Sequence, residues 1–161
     1  MIRSIVLSAS LLAATAVSAQ DLPTAPYLPL DMAQKAAQAA LDACAAEGYA
    51  VSVAVVERSG ATKVLVKADN SGPHTTGSSV GKAFTSASLG RDTAGLANFI
   101  GENPQNDGLR DMDSRLVIQA GGLPVRIGGA LVAGIGVGGA PSGDIDATCA
   151  RAGLDAIGAE Q

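Results

Sequence analysis

The sequence predicts an α+β domain, an antiparallel five-stranded sheet flanked by helices, and three observations carry that prediction. Alanine-rich segments with helical spacing of apolar residues stand at both ends of the domain, over residues 31–46 and after Asp144. Two short alternating runs, residues 50–57 and 62–67, meet at the turn signal Ser59-Gly60 and read as a hairpin. Three more apolar runs come after the central helices: Leu116-Val117-Ile118, Leu123 to Ile127, and Ala130 to Val137. Strands grouped two and three around central helices fit an α+β layer arrangement.

Taken in order, residues 1–19 have the layout of a secretory signal. Arg3 supplies the charged start, Ile5 to Ala16 the apolar stretch, and Val17-Ser18-Ala19 a small-residue cleavage site. That stretch is well short of the ~20 residues a membrane span requires. Export with cleavage near Ala19 is therefore expected, giving a periplasmic or secreted mature chain that begins at Gln20 and has no membrane span. Residues 20–30, QDLPTAPYLPL, hold three prolines and no periodic pattern, and read as an extended arm. A single domain fills residues 31–161.

Asp31 is an N-cap candidate for the first helix, along which Met32, Ala36, Ala39, Ala40 and Ala43 recur at helical spacing. Gly48 sits where a helix C-terminus favours glycine. In the hairpin, Val51, Val53 and Val55 alternate with Ser52, Ala54 and Val56. Asp69 to Gly77 is a polar loop containing the sole histidine, His74. Ser78 or Ser79 is expected to cap a helix that runs through Lys82 to about Arg91. A shorter helix over about residues 94–100 precedes the polar stretch from Gly101 to Asp113. Pro124 stands at the start of its strand, where a missing N–H does least harm. Gly128-Gly129 turns the chain into Ala130–Val137, which is apolar enough to be covered on both faces. Asp144 or Asp146 is expected to cap the closing helix.

With 15 acidic and 11 basic residues the chain carries a net charge of −4, and it has no basic stripe. Nucleic acids and anionic membrane surfaces are thereby excluded as partners. Tyr27, Tyr49, Phe84 and Phe99 are the whole aromatic complement. Helices must approach the sheet through alanine and glycine, each contact burying little area, and self-association would supply further burial. Cys44 and Cys149 are the only cysteines. In an oxidising compartment they pair, or else they remain two buried thiols.

An ordered signature closes the chain: Gly121-Gly122-Leu123-Pro124, then Ala133-Gly134-Ile135-Gly136-Val137-Gly138-Gly139, then an aspartate opening the last helix. Together with the segment AQKAAQAALDACAAEGYAVSVAVVERSG and with Gly81-Lys82-Ala83, it resembles the GlcG/HbpS family of small domains, some of which bind haem. The resemblance covers nearly all of the chain after residue 30. It implies a profilin-like arrangement and a homo-oligomer, at least a dimer and in one branch an octamer. It also implies that the helices carrying Cys44 and Cys149 are neighbours, so a disulfide is expected. The family usually has an Arg-Met-Asp-Gly-like turn after its second strand and a serine in the last glycine loop. Lys67-Ala68-Asp69-Asn70 and Gly138 stand there instead.

Several patterns imitate catalytic motifs. Gly134 to Gly139 satisfies G-x-G-x-x-G, but a dinucleotide site needs a further strand and a ribose-binding acid, and the residues after Gly139 read as one terminal helix. Close packing of strand and helix is the better reading. Gly77-Ser78-Ser79-Val80-Gly81 fits a nucleophile elbow, yet His74 lies upstream and no other histidine exists. Ser79-Val80-Gly81-Lys82 fits S-x-x-K, for which a capping serine and a solvated lysine suffice. Asp107, Asp111 and Asp113 lack the glycine and glutamate of a calcium loop.

Haem requires an axial ligand, a dry slot, and cations for its propionates. His74 is the candidate axial ligand and the only metal-ligating candidate, Thr75 stands beside it, and Lys82 or Lys67 is placed to meet propionates. A lone loop histidine is also commonly just solvent-exposed. Three readings stay open. The first is an exported oligomeric binding protein, not an enzyme, that takes haem or a related tetrapyrrole. The second is a small enzyme or accessory protein acting on a small carboxylate metabolite, with His74, Lys82 and Asp69 as its titratable groups. The third is a structural oligomer without a small ligand.

Overall fold

Alternation of valine with small residues gives the sheet two different faces, and the helices pack to suit them. The computed structural model describes residues 21–160, so the signal segment expected at residues 1–19 lies outside the described residues. The elements run α1 (Leu30–Ala46), β1 (Ser52–Glu57), β2 (Thr62–Lys67), α2 (Thr75–Leu89), α3 (Thr93–Glu102), a 3-10 helix (Pro104–Arg110), β3 (Gly122–Ile127), β4 (Ala130–Gly138) and α4 (Gly143–Ala156). The α+β class is as expected. The sheet, however, has four antiparallel strands in the order β2-β1-β4-β3.

The fifth strand expected at Leu116–Ile118 does not form. The Thr85 hydroxyl in α2 accepts the Val117 N–H at 2.8 Å and lies 3.3 Å from the Val117 carbonyl. A helix side chain thus occupies the backbone groups that a neighbouring strand would have paired. Local boundaries differ as well. α1 begins at Leu30 directly after Pro29, and Asp31 lies within its first turn instead of capping it. α2 begins earlier than expected, with His74 at the cap position and Ser79 buried inside the helix. Ser142, not Asp144 or Asp146, caps α4, its hydroxyl accepting the Ile145 N–H at 3.3 Å.

On one face of the sheet Val53, Val55, Ile135 and Val137 meet α1 and α4 in the main core. Those helices come together through Ala33, Ala36, Ala37 and Ala40 on one side and Ala150 and Gly153 on the other. A Cβ on Gly153 would stand 2.6 Å from the Ala36 carbonyl. Cys44 and Cys149 form a disulfide between the two helices, with Cα atoms 5.5 Å apart and a sequence separation of 105. Closing a loop of about 100 residues stabilises the fold by roughly 4–5 kcal/mol in the chain-entropy picture. Leu28 is buried and its carbonyl accepts Lys63 Nζ at 2.7 Å, so the described part of the arm is fastened to β2 of its own chain.

The opposite face carries almost no side chains on β4. Gly134, Gly136 and Gly138 alternate with the core residues and lie under α2. A Cβ on Gly134 would collide with the Ala83 carbonyl, and one on Gly136 with the Ser79 carbonyl. Gly122 on β3 repeats the pattern against the Lys82 carbonyl. The helix backbone therefore rests on the strand backbone, the close packing expected of the glycine run.

Replacing Gly136 with alanine should cost about 1–3 kcal/mol, as overpacking does, because the obstructing atoms are helix backbone and cannot rotate away. Gly101→Ala in α3, where a Cβ meets open space, should be neutral or slightly stabilising. Urea denaturation of both variants checks this, and equal midpoints would contradict the contact.

Candidate functional site

Lys82 is the only charged residue in the 15-residue α2. Because α2 lies directly on β4, residues 81–87 are all buried and Lys82 is largely withdrawn from water, at 3% exposed. Its Nζ donates to Asp146 Oδ2 at 2.8 Å and to the Val137 carbonyl at 3.0 Å. The solvated lysine expected from the S-x-x-K pattern is thus half of a buried ion pair. Asp146, in the first turn of α4, is equally buried, and its Oδ1 accepts the Ala140 N–H at 3.0 Å. This inward turn leaves Ser142 to cap the helix.

Gly121 makes room for the pair. Its φ of 117° lies outside what side-chain-bearing residues readily adopt, and a Cβ there would stand 2.9 Å from Lys82 Nζ and 2.7 Å from the Asp146 Cβ. Burial pushes the Asp146 carboxyl above the ordinary carboxylate range, while the Lys82 ammonium and the N–H groups of Ala140 and Gly139 pull it back.

Lys82 and Asp146 border a cleft of about 500 Å³ walled by the start of α2, the approach to β3 and the β4–α4 loop. His74 and Ser78 stand on one wall, Gln119 and Ser142 on the others. His74 is exposed and lies against Gly72, whose missing side chain leaves room for the ring. Nδ1 and Cε1 are the ring atoms nearest Gly72, and Nε2 lies farther from it.

The structure therefore brings His74 and Lys82 to one cleft. Thr75 is buried beside them, its hydroxyl 2.7 Å from both Ser52 Oγ and the Gly72 carbonyl, so it braces the His74 loop from within. Asp69 is exposed and outside the cleft, and Lys67 donates to the Ser71 carbonyl at 2.6 Å. Asp107 pairs with Arg110 and Asp113 with Arg115, and the described residues contain no cluster of three metal-ligating side chains. Ser79 donates to the Thr76 carbonyl at 3.0 Å and is fully buried, which leaves no exposed nucleophile in that motif. Sequence reasoning missed Asp146 as the partner of Lys82. The available signal was a single charge in a long helix of small residues.

A family model described as "Haem degrading protein HbpS-like" matches residues 28–155. Among solved structures, a double mutant of HbpS from Streptomyces reticuli is 44% identical, with a TM-score of 0.80 over 89% of this chain and 97% of that one. The Klebsiella pneumoniae protein ORFY is 25% identical, also with a TM-score of 0.80, over 89% of this chain and 100% of that one. The PduOC:heme complex, at 21% identity and a TM-score of 0.77 over 84% of this chain and 98% of that one, shares the fold. No curated protein matches the chain.

Removing one member of the buried pair leaves the other charge uncompensated, so Lys82→Met or Asp146→Asn should each cost about 3–5 kcal/mol. The double variant Lys82→Met/Asp146→Asn should cost less than the sum of the single changes. Because the native Asp146 carboxyl holds its proton more tightly than the unfolded chain does, its contribution is most favourable below the ordinary aspartate range and declines as pH rises through its native pKa. Asp113, held at about 2 by Arg115, acts with the opposite sign, favouring the fold above the ordinary range and losing that effect as pH falls. Denaturation curves of all four proteins between about pH 3 and pH 8 check these expectations, and additive single effects would contradict the coupling.

Proposed function

The chain belongs to the HbpS-like family, and from that premise we propose that it is an exported, self-associating protein that binds haem or a related tetrapyrrole at the His74 cleft. The observation that carries the reading is an exposed imidazole on the wall of a cleft that a buried ammonium borders. When bound, haem supplies an iron able to take ligands and electrons. What this chain supplies is an imidazole to hold the metal, with its ring set by Gly72, and polar groups for the propionates: Ser78, Gln119, Ser142 and the third N–H of Lys82. In a haem complex His74 would hold the metal, and the polar groups would meet the propionates.

The cleft wall is mostly polar, whereas a macrocycle needs an apolar cover on its other face. A second copy of the chain would supply that cover, which ties ligand binding to self-association. Exposed apolar residues support association: Leu30 and Leu65 share a groove with Val64 and Val66, and Tyr27 and Leu22 stand exposed on the arm. The described part of the arm being held to its own β2, association is proposed through this apolar surface. Export rests on the layout of residues 1–19, and the Cys44–Cys149 disulfide accords with an oxidising compartment.

The polar wall also favours a second reading, a protein that handles a small carboxylate metabolite between His74 and Lys82. Asp69 takes no part in it, since it lies outside the cleft.

Titration with hemin separates the readings. The wild-type protein should shift the Soret band, and His74→Ala should weaken binding about tenfold or more and change the band position. Light scattering should show a mass of at least two chains, rising or holding on hemin addition. An unshifted Soret band in both proteins removes haem, and a single-chain mass at all concentrations removes the shared site.

A further inference from the structure

A second cleft, of about 460 Å³, opens where the edge strand β3 meets α4 and the link between α2 and α3. Arg91 comes from that link, Arg126 from β3 and Arg151 from α4, while Leu123, Pro124 and Leu154 supply an apolar lining. We propose that this cleft binds an amphipathic organic anion, its carboxylate held by the three arginines and its apolar body laid against the leucines and proline.

Convergence of three cations needs an explanation in a chain of net charge −4. Of the other described arginines, Arg110 pairs with Asp107 and Arg115 with Asp113, while Arg58 donates to the Ala87 and Ser88 carbonyls. Among the described residues none of Arg91, Arg126 and Arg151 has such a partner. Two carboxylates do line the cleft, and both are engaged elsewhere. Asp92 accepts the Gly95 N–H at 2.6 Å as the cap of α3, and Glu160 accepts the Gly129 N–H at 2.7 Å. The formal balance of the lining remains positive.

Two of the three arginines are also held in place. Arg126 donates to the Gly90 carbonyl at 3.1 Å, and the Arg91 guanidinium lies 5.2 Å from the Phe99 ring centre. Among the described residues Arg151, exposed on α4, has no such tether. Guanidinium groups bind carboxylates through paired N–H donors, and a cleft of one charge sign concentrates the opposite ion. Inorganic anions would satisfy the charge alone, whereas Leu123, Pro124 and Leu154 favour an anion with an apolar body.

Calorimetry with 2-naphthoate and its neutral counterpart 2-naphthamide tests the site in the full mature chain. Naphthoate should bind, and naphthamide should bind about tenfold more weakly or worse, the loss expected for a charge-assisted hydrogen bond. Arg91→Gln and Arg151→Gln, both at exposed positions, should each weaken naphthoate binding by about tenfold while thermal unfolding stays as in the wild type. His74→Ala should leave naphthoate binding unchanged, so this site and the haem reading stand or fall separately. The proposal is overturned if naphthoate fails to bind at millimolar concentration, if naphthamide binds equally well, or if both arginine variants bind like the wild type. Displacement of naphthoate by inorganic phosphate at equal concentration would overturn the apolar half of it.

Discussion

The contact between the backbone of α2 and the glycine face of β4 is the constraint on which the rest of the structure depends. Gly134 and Gly136 have no Cβ where Ala83 and Ser79 present their carbonyls, so the helix descends onto the strand instead of standing off by the width of a side chain. Descent buries seven consecutive residues of α2, Lys82 among them. A lysine so placed must find a counter-charge or lose its proton. Asp146 answers it from the start of α4, and that answer draws the β4–α4 loop down to form one wall of the cleft.

The other face obeys the opposite rule. Val53, Val55, Ile135 and Val137 fill the space between the sheet and the α1–α4 pair, while alanines and Gly153 let those helices approach each other. The disulfide fastens the same pair. α4 is thus held from two directions, by Cys149 toward α1 and by Asp146 toward α2. The two clefts lie at different places on this frame, one walled by polar groups around His74 and the other gathering arginines from three elements. Their chemistry is complementary, one offering an imidazole and the other an anion site with an apolar floor.

Much of this is local and was legible in the sequence. The β1–β2 hairpin shows in valine alternation around Ser59-Gly60, and the role of the Gly134–Gly139 run as a packing surface is evident from its position before a terminal helix. Cysteine pairing needed the family resemblance to set the two helices side by side. What could not be read is nonlocal. Leu116-Val117-Ile118 has the composition of a strand, but its backbone groups go to Thr85, 32 positions away. Lys82 looks solvated in its own neighbourhood, and its partner lies 64 positions on. Serines at 78 and 79 read as caps because polar residues break local patterns, whereas burial of Ser79 is decided by β4.

Native-state hydrogen exchange measures most directly whether α2 and β4 are one unit. If the glycine contact and the buried pair govern the fold, amides of residues 79–87 should exchange only through the same global opening as those of β4, with matching free energies and matching denaturant dependence. Exchange of α2 through a smaller opening that leaves the β4 amides protected would contradict this.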